Sequence, residues 1–472
     1  MMRRIHCHAV LAVVLLCGVI GIATAADDVK LPAFERVTLA NGAQVALLEK
    51  RDTPLVSMSV RVRGGALGDP AGKEGTAALF ADLVQKGAGA RSAEQFAQAI
   101  ENVGGELGAG AGLESLSISA TFLARDADLM LELVADALVR PQLSAAEFDK
   151  SRTRAIQTIV AAKESDPRNL IGTSGDAGLF NQHPYGRPVN GSEASLAQVT
   201  LDELKQFYAT QVGGDRLVIA VVGDFDAVRM QRQLQTAFGT WRKAGTPPPV
   251  VAAAPRASGR RVLLVDKPDA TQTYFWFGNV GASRTDPART AQSVVNTVFG
   301  GRYTSMLNVE LRANSGLTYG ANSGFDRAAE PGAFSVMSYT ETEKTVDAVD
   351  LALATLDRLH REGLDAETLA SSQSFLLGQF PPTLETNGQL AGRLVDLMFY
   401  GLGPDDVDEF GKRVRAVDAA TVRRTIDTAF PTSNELAIVM IGNAAKIRDD
   451  IRKYGPVTEM KITDPRFGPV TP

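Results

Sequence analysis

Two kinds of apolar pattern run along this chain. Val218-Ile-Ala-Val-Val-Gly-Asp and Ala437-Ile-Val-Met-Ile-Gly-Asn are continuous hydrophobic runs closing on Gly223 and Gly442. Such runs suit strands buried on both faces. The alternation in Ser115-Leu-Ser-Ile-Ser-Ala-Thr-Phe122 predicts a strand with one face on a core. Between Gly75 and Gly87 the apolar residues Leu79, Phe80, Leu83 and Val84 form one stripe of a helix, with Ala78 and Asp82 one turn apart beside it. Helix starts are marked by Ser92 with Gln95 and by Thr200 with Glu203, two capping boxes, and by Ser144 and Asp365 as N-caps. Gly104 and Gly105 stop the helix that Ser92 opens; with no P-loop Lys-Ser/Thr after them, they do not cradle a phosphate. The tail from Pro456 has no such pattern and is expected to be irregular.

Several of these landmarks occur twice, about 220 residues apart, a spacing suited to duplicated domains. Val45-Ala-Leu-Leu-Glu-Lys-Arg-Asp matches Val262-Leu-Leu-Val-Asp-Lys-Pro-Asp, Leu143-Ser-Ala-Ala-Glu matches Leu364-Asp-Ala-Glu-Thr, and the two buried runs match each other. The Pro/Ala-rich stretch 243–258 divides the copies as a stiff connector. The expected architecture is α+β: two homologous sandwich domains, 26–242 and 259–472, each a mostly antiparallel mixed sheet with helices packed on one side.

The first 25 residues have Arg3 and Arg4, an apolar run and Ala23-Thr24-Ala25, the form of a secretory signal. Cleavage would remove Cys7, Cys17, His6 and His8, leaving His183 and His360 as the remaining histidines and no cysteine. Such a chain cannot build a thiolate metal site and has no disulfides. Losing Arg3 and Arg4 shifts the net charge from −5 to −7, which offers nothing to nucleic acid. No later segment is long and apolar enough to span a bilayer. An exported protein, in a bacterial periplasm, is expected.

The order of motifs resembles the insulinase-type (pitrilysin-like, M16) zinc metallopeptidases, in their short-chain, dimer-forming kind. The segments that carry the resemblance are LANGAQVALLEKRDTPLVSMSVRVRGGA, GTAALFADLVQKG, HPYGRPVNGSEASLAQVTLDELKQFY, VVGDF and GGRYTSMLNVELRANSGLTYGANS. In that family an H-x-x-E-H helix supplies two zinc ligands and the general base, and a Glu about 77 positions later supplies the third ligand. The resemblance places the two His at Ala78 and Asp82, the base at Ala81 and the third ligand at Ile159. No metal or other cofactor is therefore expected in this chain. The family's second signature, an Arg and a Tyr seven residues apart, is present as Arg312 and Tyr319. Arg312 is expected to end the helix SMLNVELR, Gly316 to permit the turn, and Tyr319 to enter a strand. A guanidinium and a phenol can both donate to a peptide carbonyl and to the oxyanion it becomes.

The resemblance thus implies a non-catalytic, substrate-binding subunit of a heterodimeric metallopeptidase. Arg312 and Tyr319 would act in trans on a peptide or unfolded polypeptide, while an H-x-x-E-H partner brings zinc and the base. The alternative is a catalytically inert scaffold or binding protein of the same fold. His183 and His360 are expected to be structural, and the strand near Gly104–Phe122 to offer an edge for pairing with a peptide.

Overall fold

The computed structural model describes residues 29–469, so the expected signal segment lies outside the described residues. Its strands are β1 (Glu35–Thr38), β2 (Gln44–Glu49), β3 (Leu55–Arg63), the two-residue β4 (Gly87–Ala88) and β5 (Arg91–Ser92), β6 (Glu106–Ala111), β7 (Ser115–Leu123) and β8 (Leu217–Gly223). The second half adds β9 (Arg261–Asp266), β10 (Gln272–Val280), β11 (Ala321–Arg327), β12 (Pro331–Glu341), β13 (Ala437–Gly442) and β14 (Val457–Lys461). They form two six-stranded sheets, ordered β1-β2-β8-β3-β7-β6 and β14-β9-β13-β10-β12-β11, with β4 and β5 pairing separately. From β2 and β9 onward the two orders correspond strand for strand, the structural form of the sequence repeat. The expected buried runs are the interior strands β8 and β13, every residue of which is buried.

The sheets differ at one margin. β1 pairs antiparallel with β2, whereas β14 pairs parallel with β9, Val457 opposite Val262 through Lys461 opposite Asp266. The tail from Pro456 is therefore not irregular as expected. Its strand VTEMK is partly exposed and carries no continuous apolar run, so only backbone pairing reveals it.

The helices of the first half are α1 (Thr76–Leu83), α2 (Ala93–Glu101), α3 (Ala127–Val139), α4 (Ala145–Glu164) and α5 (Ile171–Phe180). The expected caps are in place: Ser92 and Gln95 bond reciprocally, as do Thr200 and Glu203, while Ser144 and Asp365 accept from the N–H groups of Glu147 and Thr368. The stretch 243–258 carries no helix or strand. It is pinned along its length by bonds from Ala244 N–H to Asp215 (2.8 Å) and between Ala257 and Asn279 (2.8 and 3.1 Å).

Each sheet packs its own helices on one face and a helix of the other half on the opposite face. On β8, Leu217, Ile219 and Val221 join the core that holds Phe80, Leu83 and Val134. Val218, Ala220 and Val222 point the other way, into a separate core with Leu390, Leu394 and Leu397 of the helix Asn387–Tyr400. Reciprocally, α5 lies across β10 and β13. There a Cβ on Gly175 would come within 2.5 Å of the Trp276 ring, and one on Gly178 within 2.8 Å of a Val439 methyl. Glycine inside a helix costs about 1 kcal/mol relative to alanine. Close approach of α5 to the sheet requires it here.

Candidate functional site

Helices α1 and α4 pack against each other, and their facing residues Ala78, Asp82 and Ile159 line one wall of a chamber of about 970 Å³. The three positions that the resemblance assigns to ligands thus border one chamber. Ala81 is buried in the core, and its carbonyl accepts from Gln85 at 3.2 Å. Asp82 is spoken for: its carboxylate accepts from Ser151 Oγ and from the Arg154 guanidinium at 2.9 Å, both on α4. An ion pair thus links α1 to α4. Two methyls, an aliphatic chain and one engaged carboxylate do not make a zinc site. Among the described residues no group of three or more His, Cys, Asp or Glu could hold an ion.

The N-terminus of α1 is fixed by Asp69, whose two oxygens accept from Gly75 N–H and Ala77 N–H, each at 2.8 Å. Gly75 has φ of 95°, a left-handed conformation that suits glycine. Burial pushes the Asp69 carboxyl up to about 7 even against those two donors.

The rest of the chamber wall comes from both halves. Glu114, in the turn between β6 and β7, accepts from Tyr185 Oη (2.9 Å), Tyr400 Oη (3.1 Å) and Ala329 N–H (3.0 Å). One carboxylate thereby joins three separate segments. Burial, followed by the Glu114 charge, raises both phenols well above the ordinary tyrosine value. Asp176 on α5 and Asp326 on β11 also border the chamber. Burial first, and the Asp326 charge second, push Asp176 up to about 7; burial raises Asp326 as well. Next to Asp326, burial brings Arg327 down to about 10, and the nearby Arg284 and Arg289 add to the shift.

Arg312 and Tyr319 lie elsewhere. Ser305 caps a short helix, Met306–Asn308, that continues as a π-helical turn, Val309–Asn314. The helix expected to stop at Arg312 therefore runs two residues further with wider winding. Gly316 makes the turn with φ of 64°, and the N–H groups of Leu317 and Thr318 both reach back to the Leu311 carbonyl. Tyr319 stands two residues before β11 rather than within it, and the residue is 78% exposed. Arg312 is half-buried as a residue, and its guanidinium lies 4.8 Å from the centroid of the Tyr303 ring. Among the described residues neither the Arg312 guanidinium nor the Tyr319 hydroxyl has a hydrogen-bond or ion-pair partner, and neither lines the chamber.

The two histidines among the described residues bond to backbone groups. His183 Nδ1 accepts from Tyr185 N–H (3.2 Å) and its Nε2 meets the Ala252 carbonyl at 2.8 Å; His360 Nε2 meets the Pro431 carbonyl at 3.0 Å. Strand β6 is the edge of its sheet, packed beside α1. Sequence reasoning did not single out Glu114, Arg154, Asp176, Tyr303 or Asp326. None has a local motif; each gains its role from a partner distant in sequence.

Residues 44–193 match the family described as Insulinase (Peptidase family M16), and residues 198–376 match the Peptidase M16 inactive domain. An uncharacterized zinc protease of Mycobacterium tuberculosis is 30% identical over 375 residues, 78% of this chain and 84% of that one. A Helicobacter pylori protein named a non-peptidase homolog is 24% identical over 86% of this chain and 94% of its own length. A crystal structure described as a peptidase M16 inactive domain from Pseudomonas fluorescens superposes with a TM-score of 0.80 at 22% identity, covering 87% of this chain and 98% of that one. The chain belongs to peptidase family M16.

Proposed function

We propose that this chain is the substrate-binding subunit of a heterodimeric, exported zinc metallopeptidase, working in a bacterial periplasm. The observation that carries the reading is the state of Arg312 and Tyr319: side chains without hydrogen-bonding partners among the described residues, outside the chamber that holds the vestigial helix. A peptide carbonyl meeting them would be presented from outside this chain. A partner bearing H-x-x-E-H would contribute zinc and the general base. Arg312 and Tyr319 would then orient the scissile carbonyl of a peptide or unfolded polypeptide and donate to its oxyanion. The outer edge of β6, the last strand of its sheet, would offer backbone groups to an extended peptide.

The test is assembly. Alone, the chain should show no chelator-sensitive peptidase activity. In complex with its H-x-x-E-H partner, identified by co-purification from the native cell, Arg312→Ala and Tyr319→Phe should each lower kcat/KM by roughly 100-fold, the scale of losing one oxyanion donor. The non-peptidase homolog from Helicobacter pylori favours a second reading, an inert scaffold. Unchanged turnover in both variants, with the complex intact, would establish that one instead.

A further inference from the structure

Arg312 is held without being neutralised. The nearby acid Glu310 is already taken, by Arg358 at 2.7 Å and by Asn314 at 3.2 Å. The Arg312 guanidinium rests instead on the ring of Tyr303, itself 69% exposed. The two supports differ chemically. A carboxylate would consume the N–H donors and cancel the charge, whereas the face of a ring attracts the cation and leaves its donors free at the edge of the plane.

The loop that bears the ring is pinned. The carbonyl of Arg302, next to Tyr303, accepts from Ser305 N–H (3.1 Å) and Asn308 Nδ2 (3.3 Å). Asn308 Oδ1 in turn accepts from Ala321 N–H at 3.0 Å, and the Gly300 carbonyl accepts from Ser323 N–H at 3.2 Å. One asparagine therefore ties the loop bearing Tyr303 to the first residue of β11, two residues after Tyr319. Arg302 anchors the loop's other side through Ser371 Oγ (3.0 Å). A long arginine side chain has much rotamer freedom to lose on binding, and a ring set in a pinned loop removes part of that cost beforehand.

We propose that Tyr303 is a positioning residue for Arg312: its ring face sets the guanidinium in a donor-ready orientation before substrate arrives. This rests on the reading of Arg312 and Tyr319 as the carbonyl-binding pair. Two variants separate the ring's electronic face from its bulk, Tyr303→Phe, which keeps the face, and Tyr303→Leu, which keeps apolar volume without it.

Arginine Nε–Hε NMR spectra of the full mature chain, assigned with Arg312→Lys, provide a readout independent of the partner. The Arg312 Hε signal should be shifted upfield by the ring in wild type and Tyr303→Phe, and should lose that shift in Tyr303→Leu. In the native complex, Tyr303→Leu should lower kcat/KM roughly two- to fivefold, the range of an exposed cation–π contact, and Tyr303→Phe should restore it. An Arg312 signal unmoved in Tyr303→Leu overturns the proposal. So does full turnover by Tyr303→Leu where Arg312→Ala is impaired. If the ring shift behaves as expected but Arg312→Ala turns over normally, the reading of the pair fails and the positioning role falls with it.

Discussion

Asp176→Asn isolates the electrostatics of the seam between the two halves. Asp176 lies on α5, borders the chamber and faces Asp326 of β11; burial and that second carboxylate push it from 3.8 to about 7. A rise of about 3 units corresponds to roughly 4 kcal/mol as an upper bound for the fully ionised carboxylate. Asp176 opens partly on the chamber, where water screens it, so roughly 1–2 kcal/mol is the expected effect. Between about pH 4 and pH 7 the folded chain retains a proton that the unfolded chain has released. Asp176 therefore makes stability fall as pH rises through that window, and the loss is complete above about 7. Asparagine keeps the volume and removes the charge. In urea unfolding of the mature protein, Asp176→Asn should gain on wild type, and the gain should be about 1 kcal/mol larger at pH 8.5 than at pH 5, the share of the effect that develops above pH 5. Comparing variant with wild type at each pH cancels the contributions of Asp69 and other unaltered groups. A gain equal at both pH values, or one larger at pH 5, would refute the argument.

Two further outcomes follow from the packing. Gly175→Ala places a methyl against the Trp276 ring, and overpacking of about 1–3 kcal/mol should outweigh the gain in helix propensity of about 1 kcal/mol. Equilibrium unfolding would show a net loss, and a neutral or stabilised variant would mean that α5 can lift off its sheet without cost. Restoring the ligands by the combined change Ala78→His, Asp82→His and Ile159→Glu should make the isolated chain take up zinc, read by metal analysis after gel filtration. No uptake would show that α1 and α4 have drifted out of ligand geometry.

What could be read from the sequence was local. Ser92 with Gln95, Thr200 with Glu203, Ser144 and Asp365 cap helices because an N-cap and its partner lie within three residues of each other. The runs ending at Gly223 and Gly442 are buried strands because burial on both faces leaves no polar position. The helix between Gly75 and Gly87 and the Arg312/Tyr319 segment were singled out by resemblance alone. What stayed hidden depends on long-range pairing. Strand β14 exists through parallel bonds to β9, almost 200 residues away on the chain, and the link from Asp82 to Arg154 joins two helices. Gly175 and Gly178 were the available clue to the exchange of helices, since two glycines in one helix ask what they are pressed against.

The exchange of α5 and the helix Asn387–Tyr400 makes the two halves hold each other as in a handshake. A separated first half would bare Val218, Ala220 and Val222 to water; a separated second half would bare Trp276, Val439 and Ile441. Leu390, Leu394, Val395, Leu397, Met398 and Phe399 are buried in the core that they share with Ala46, Leu48, Val218, Ala220 and Val222 of the opposite half, and burying such side chains contributes about 1.5–3 kcal/mol each. The two halves thus hold each other as the subunits of a symmetric, element-swapped pair would, independently of the peptide bonds that join them. Cutting the Pro/Ala-rich stretch would leave one particle made of two fragments.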